Sequence, residues 1–284
     1  MRRSVNKTKL MSAIVPGGTK SFLHEVDYMT EYASSWFAIT KKKAGWDCMR
    51  HLEIIAAGCI PVFEHADQIP PYVMAFYPKA LMKQIASSFS NATTRELERW
   101  RHLLLQHMDL HLTAPKVVHA MEDMSGVSFQ NHKNGPRVLF VDENVPKSAD
   151  YLSLMVLTGL FERYGSKRVD VMFPVPYMYQ GGVKHTSDGS KLYGNGFNYA
   201  WVLSGSPKSV ARDLIAERVK SCTYDVIVYD GKTRDVVWNE VSAAYGSEGM
   251  RRRVWILNGE DCCFNATTAG FNKGWSFFVR ELIT

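Results

Sequence analysis

Short apolar runs bounded by turn residues alternate along this chain with longer stretches whose apolar positions recur at helical period. SFLHEVDYMTEYASS (residues 21–35) has helical spacing, WFAIT after it reads as a short strand, and KKKAGW as a loop. DCMRHLEIIAA is a helix with Asp47 as N-cap and Gly58 as its stop, followed by the strand CIPVFE and the loop HADQIPP. AFYP reads as a further short strand and KALMKQIASSF as a helix. TTRELERWRHLLLQHMDLH is a long amphipathic helix capped by Thr93 or Thr94.

Residues 122–136, EDMSGVSFQNHKNGP, are polar and glycine-bearing and read as a linker. A second series follows: strand RVLFVDE, helix DYLSLMVLTGLFERYG, strand RVDVMFPVP, and a long irregular stretch rich in glycine and aromatics. Helix SVARDLIAERVKS, strand YDVIVYD, helix DVVWNEVSAAYG, strand RRVWILNGE and the tail GWSFFVRELIT complete it. Such alternation predicts parallel sheets covered by helices. The expected fold is α/β: two Rossmann-like domains, residues 1–130 and 137–284, facing a cleft. The pattern leaves the strand order open.

Composition narrows the partners. The chain has 284 residues, a net charge of +6 and 22% charged residues, an ordinary globular balance with a mild preference for anions. Five cysteines, with neither a Cys-x-x-Cys pair nor zinc spacing, fit a reducing, cytoplasmic compartment rather than a disulfide framework. No run approaches the roughly 18 apolar residues of a membrane span, and LMSAIV is too short for a signal segment.

The stretch KKKAGWDCMRHLEIIAAGCIPVFEH, residues 41–65, concentrates the chemistry. In an open α/β sheet ligands lie at the carboxyl ends of strands, against helix N-termini whose free N–H groups favour phosphate. Gly45 allows close approach, Lys41, Lys42 and Lys43 supply cations, and Trp46 in the same loop is a further donor-binding candidate. Arg50, in the first helical turn, opposes the helix dipole and suits a bidentate grip on a diphosphate. Glu53, on the same helix face, suits two ribose hydroxyls. A surface pair between Arg50 and Glu53 is the alternative.

These residues carry a resemblance. GWDCMRHLEIIAAGCIPVF is similar to the donor-nucleotide motif of exostosin-like glycosyltransferases, and more loosely to that of other GT-B enzymes. In that motif a phosphate loop leads through an arginine and an acidic residue into a Gly-Cys-Ile-Pro-Val strand. Arg50, Glu53, Gly58, Cys59, Ile60, Pro61 and Val62 match it, and the likeness covers residues 21–85. It is nearest to the enzymes of large algal DNA viruses that build glycans on capsid proteins. The resemblance implies a GT-B-like fold and a UDP-sugar donor, UDP-xylose being the first to test. It further implies inverting transfer to a glycan or glycoprotein, and the host cytoplasm as location. The motif lies in the first quarter of the chain, whereas GT-B enzymes carry it in their second domain. Either the arrangement is circularly permuted, donor domain first, or the second half is an unrelated α/β module.

Inverting transfer needs a general base and a stabiliser of the leaving diphosphate. Lys41, Lys43, Arg50 and the helix N-terminus can serve the second need, and no Asp-x-Asp appears, so neither metal nor cofactor is expected. Asp142 ends the strand RVLFV and is the first candidate base, with capping of the following turn as its alternative; Glu143 and Asp230 are reserves. His65 follows the donor-side strand, and Arg280 is placed to reach the diphosphate unless it pairs on the surface. Tyr177, Tyr179 and Tyr193, in a stretch that also holds Gly181, Gly182, Gly189, Gly194 and Gly196, either stack on an acceptor sugar or pack. The competing functions are a non-catalytic nucleotide- or nucleic-acid-binding protein and a nicotinamide enzyme. No zinc-finger, RNP or helix-turn-helix signature supports nucleic acid, and no Gly-x-Gly-x-x-Gly follows a strand.

Overall fold

The computed structural model describes residues 6–18, 22–127, 129, 135–182, 192–207, 210–231, 237–260 and 276–281. Two compact units account for it. Unit 1 comprises Met1–Thr113, Glu260–Cys263 and Glu281–Ile283; unit 2 comprises Ala114–Gly259, Phe264–Arg280 and Thr284. Each contains one parallel sheet, so the α/β class read from the alternation is what forms.

Unit 1 runs β1 (Lys9–Met11), α1 (Glu25–Ala33), β2 (Ser35–Thr40), α2 (Met49–Ala56), β3 (Ile60–Phe63), α3 (Lys79–Ser88) and α4 (Thr94–His107), with a π-helical turn at Met108–Leu112. Its sheet order is β1-β2-β3. Pro61 pairs opposite Ala38 on the outer strand β3, where its missing N–H interrupts no ladder. α2 ends as the pattern expected. Gly58 adopts a left-handed φ of 67°, its amide reaches Ile55, and the Cys59 amide reaches Ile54, the double bond of a Schellman stop. α4 begins with a capping box between Thr93 and Glu96. AFYP is not a strand: residues 71–77 form turns.

Unit 2 opens with α5 (Ala114–Ser125), so residues 122–125, read as linker, finish a helix that belongs to the second unit rather than the first. Then follow β4 (Val138–Val141), α6 (Tyr151–Tyr164), β5 (Val169–Val171), α7 (Arg212–Lys220), β6 (Val226–Asp230), α8 (Trp238–Arg253), β7 (Val254–Asn258) and β8 (Ser276–Val279). α5 crosses α6 so closely that a Cβ on Gly159 would collide with the Ala114 carbonyl and the Val118 side chain. The sheet order is β5-β4-β6-β7-β8, with every pair parallel. Counted within the unit, this is the doubly wound 2-1-3-4-5 order. β4, β6 and β7 are apolar almost throughout and buried, as strands covered on both faces must be. No helix among the described residues is long and apolar enough to cross a membrane.

Candidate functional site

In unit 1 the chain leaves β2 at Thr40, passes Lys41–Lys43, Gly45 and Trp46, and enters α2. Buried His51, in the first turn of α2, fixes this loop. The Trp46 carbonyl can only accept, so His51 Nε2 carries the proton and donates over 2.7 Å, while Nδ1 accepts from Thr40 Oγ1 at 2.9 Å. Burial lowers the imidazole to about 4, so the ring is neutral. The Trp46 ring stacks on Phe63 at 6.0 Å and carries the Lys42 ammonium 5.6 Å from its centroid.

α2 starts without a polar cap. The capping position is Cys48, not Asp47; no side-chain oxygen caps the helix there, and only the Cys48 sulfur lies against the Arg50 and His51 amides. Burial pushes the Cys48 thiol up to about 11, leaving a neutral sulfur as the poorest of caps. Asp47 stands one residue earlier, its amide donating to Glu281 Oε1 at 2.6 Å. The close approach expected at Gly45 is also made by Glu281: a Cβ on Gly45 would lie 2.6 Å from Oε1.

Arg50 occupies the second position of α2, and its Nη1 is buried without a hydrogen-bond partner among the described residues. The alternative of a direct Arg50–Glu53 surface pair does not form, although the Glu53 charge still acts on the guanidinium. Glu53 Oε2 accepts from the Tyr28 hydroxyl at 2.6 Å, with Tyr32 3.4 Å from the same hydroxyl. Burial, then the Glu53 charge, holds the Tyr28 phenol well above its ordinary range. Lys41 lies 3.8 Å from Glu64, an exposed pair of little energetic weight. Lys43 is exposed, and His65 is exposed with a left-handed φ of 60° just beyond β3.

In unit 2 the strand order reverses between β4 and β6, the position where doubly wound sheets open a ligand crevice at their carboxyl ends. Asp142 follows β4 and Asp230 ends β6. Asp142 is 2% exposed; its Oδ1 accepts from the amides of Asn144 and Val145, each at 2.9 Å, and the carboxylate also takes the Ser153 hydroxyl. Asp142 is therefore the cap of the β4–α6 turn. Burial raises its carboxyl to about 6, with Asp230 adding repulsion, against the hydrogen bonds that favour the charge. Asp230 is partly exposed and accepts from Asn144 Nδ2 at 2.8 Å. Glu143 is partly exposed in the same turn.

The tyrosines divide. Tyr177 is buried and donates to the Val145 carbonyl at 2.5 Å, a packing role that braces the same turn. Tyr179 is half-buried, and Tyr193 alone presents its ring, 76% exposed. Gly189 lies outside the described residues, as do Cys262 and Cys263. The Arg280 amide pairs with the Asn258 carbonyl at 3.0 Å in unit 2. Among the described residues no cluster of three or more His, Cys, Asp or Glu is arranged for a metal ion.

The pattern of the chain missed Tyr28, His51 and Glu281. His51 had a local signal, a histidine at helical spacing on a buried face. Tyr28 and Glu281 lie 25 and 234 residues from their partners and had none. Comparison of the chain with family models, curated proteins and solved structures gives no significant match.

Proposed function

We propose that the protein is a nucleotide-sugar-dependent glycosyltransferase with unit 1 as the donor-binding unit. The observation that carries this reading is Arg50. A guanidinium whose Nη1 is buried and unpartnered, at the start of a helix with no polar cap, is costly for stability alone. An anionic ligand offsets that cost by supplying acceptor oxygens and charge together. Glu53, held by Tyr28, presents a fixed carboxylate three residues further along the helix, the chemistry that ribose hydroxyls require.

The acceptor hydroxyl is activated from unit 2. Asp142 is enclosed by its own turn, so Asp230, on the same switch point and partly exposed, takes the base role, with Asn144 orienting it. Tyr193 offers an exposed ring for an acceptor sugar. The donor is a UDP-sugar, UDP-xylose first, and the GT-B-like arrangement with the donor unit leading belongs to this proposal, as does inversion without a metal. The enclosure of Asp142 favours one alternative, a nucleotide-binding protein that does not turn its ligand over.

Calorimetry with UDP, GDP and NAD, followed by a hydrolysis screen across UDP- and GDP-sugars, tests the reading. Arg50→Ala is expected to weaken UDP binding about tenfold or more while leaving the melting temperature unchanged or higher. A protein that binds none of the three, or an Arg50→Ala variant that binds as tightly as wild type, refutes it. Binding without hydrolysis or transfer of any sugar selects the alternative.

A further inference from the structure

Glu281 is 1% exposed, yet among the described residues no cation pairs with it. A carboxylate so enclosed normally has a charged partner. This one has the Asp47 amide at 2.6 Å, one residue before the weakly capped start of α2, and it rests on the face of Gly45, where any other residue would place a Cβ 2.6 Å from its oxygen. An amide at a helix start together with a glycine that admits a close oxygen is the environment that receives a phosphate oxygen. Both partners and Glu281 itself belong to unit 1, although the chain reaches Glu281 directly from Arg280 of unit 2.

We propose that Glu281 is a built-in competitor for the loop at residues 45–47: its carboxylate occupies the place of a ligand phosphate and leaves when a diphosphate binds. This rests on the reading of unit 1 as the donor-nucleotide unit. Two consequences follow. Gly45 leaves room for whichever oxygen occupies the loop, the protein's own or the ligand's, and a side chain there would push the flexible Glu281 carboxylate aside. The affinity measured on the intact chain is also lower than the loop's intrinsic affinity, because binding must first displace Glu281.

The test is calorimetric titration of inorganic pyrophosphate and of UDP into the full chain as wild type, Glu281→Ala, Glu281→Gln and Arg50→Ala, with circular dichroism confirming the fold of each. Glu281→Ala is expected to bind pyrophosphate about tenfold tighter than wild type, the effect of one charge-assisted hydrogen bond no longer in competition. Glu281→Gln should fall between them, since its amide oxygen can still accept from Asp47 but lacks the charge. Equal or weaker binding by both Glu281 variants overturns the proposal. If UDP then still binds wild type and Arg50→Ala still loses it, the donor reading stands and only the competitor falls. If neither pyrophosphate nor UDP binds any variant, both fall.

Discussion

His51 Nε2 donates to the Trp46 carbonyl over 2.7 Å, tying the start of α2 to the loop that precedes it. That bond would survive protonation, but the other nitrogen accepts from the Thr40 hydroxyl only while it carries no proton, and burial disfavours the charged ring. In the unfolded chain the imidazole titrates near 6.5, in the folded chain near about 4. Between those values the unfolded state binds the extra proton, so stability is fully present above pH 6.5 and declines as pH falls toward 4. The interval corresponds to about 3 kcal/mol. His51→Gln should flatten urea midpoints over this window. A variant whose midpoints fall with acid as steeply as wild type would refute the role given to His51.

Gly58 isolates a backbone effect. Its φ of 67° is left-handed, and the nearest atoms to an added Cβ belong to the flexible Arg101 side chain at 3.8 Å. Gly58→Ala should therefore cost about 1–2 kcal/mol from conformation alone, and Gly58→Asn less. Denaturant titration should show a shifted midpoint with an unchanged slope; an alanine variant as stable as wild type would contradict the Schellman assignment.

How much of this was legible beforehand follows from the range of the forces involved. β2, β3, β4, β6 and β7, with the helices between them, announce themselves because burial on both faces needs a continuous apolar run, and the Gly58 stop is local backbone chemistry. α5 was hidden by Pro115 near its start and by the polar Glu122–Ser125 at its end, which imitate a linker. β8 is four residues at the end of its sheet, too short for a period to show. The 2-1-3-4-5 order, and with it the placing of Asp142 beside Asp230, comes from long-range pairing that no local pattern encodes. Arg50 was legible because it breaks a local rule; that it forms no direct ion pair with Glu53 was not, because the Glu53 carboxylate is held by Tyr28.

Gly159 is a glycine of the opposite kind from Gly58. It lies within α6 with ordinary helical geometry, and its hydrogen is what allows the Ala114 end of α5 to approach. An added methyl meets a backbone carbonyl, which cannot rotate away. Gly159→Ala is expected to cost about 2 kcal/mol or more despite alanine's better helix propensity. A gain in melting temperature would show that α5 is not seated on α6.

The carboxylates at the unit 2 switch point should separate in a pair of variants. Asp142 is enclosed and its carboxyl sits near about 6, whereas the unfolded group titrates near 3.8. The folded chain therefore holds a proton between those values that the unfolded chain has released, and this stabilising contribution fades as pH rises through 6. Asp142→Asn removes a buried charge at neutral pH while keeping an oxygen for the Asn144 and Val145 amides. Its stability relative to wild type should improve from pH 4 to pH 7, with most of its turnover retained. Asp230→Asn has no such burial to relieve and should keep nucleotide affinity while losing turnover by about 10². Glu143→Gln, in the same turn but without the Asn144 bond, should behave like wild type. Each is read by sugar transfer from the UDP-sugar found in the hydrolysis screen, beside a melting curve at both pH values. A dead Asp142→Asn with an active Asp230→Asn would return the base to the buried residue, and would require the β4–α6 turn to open before the acceptor hydroxyl can reach it.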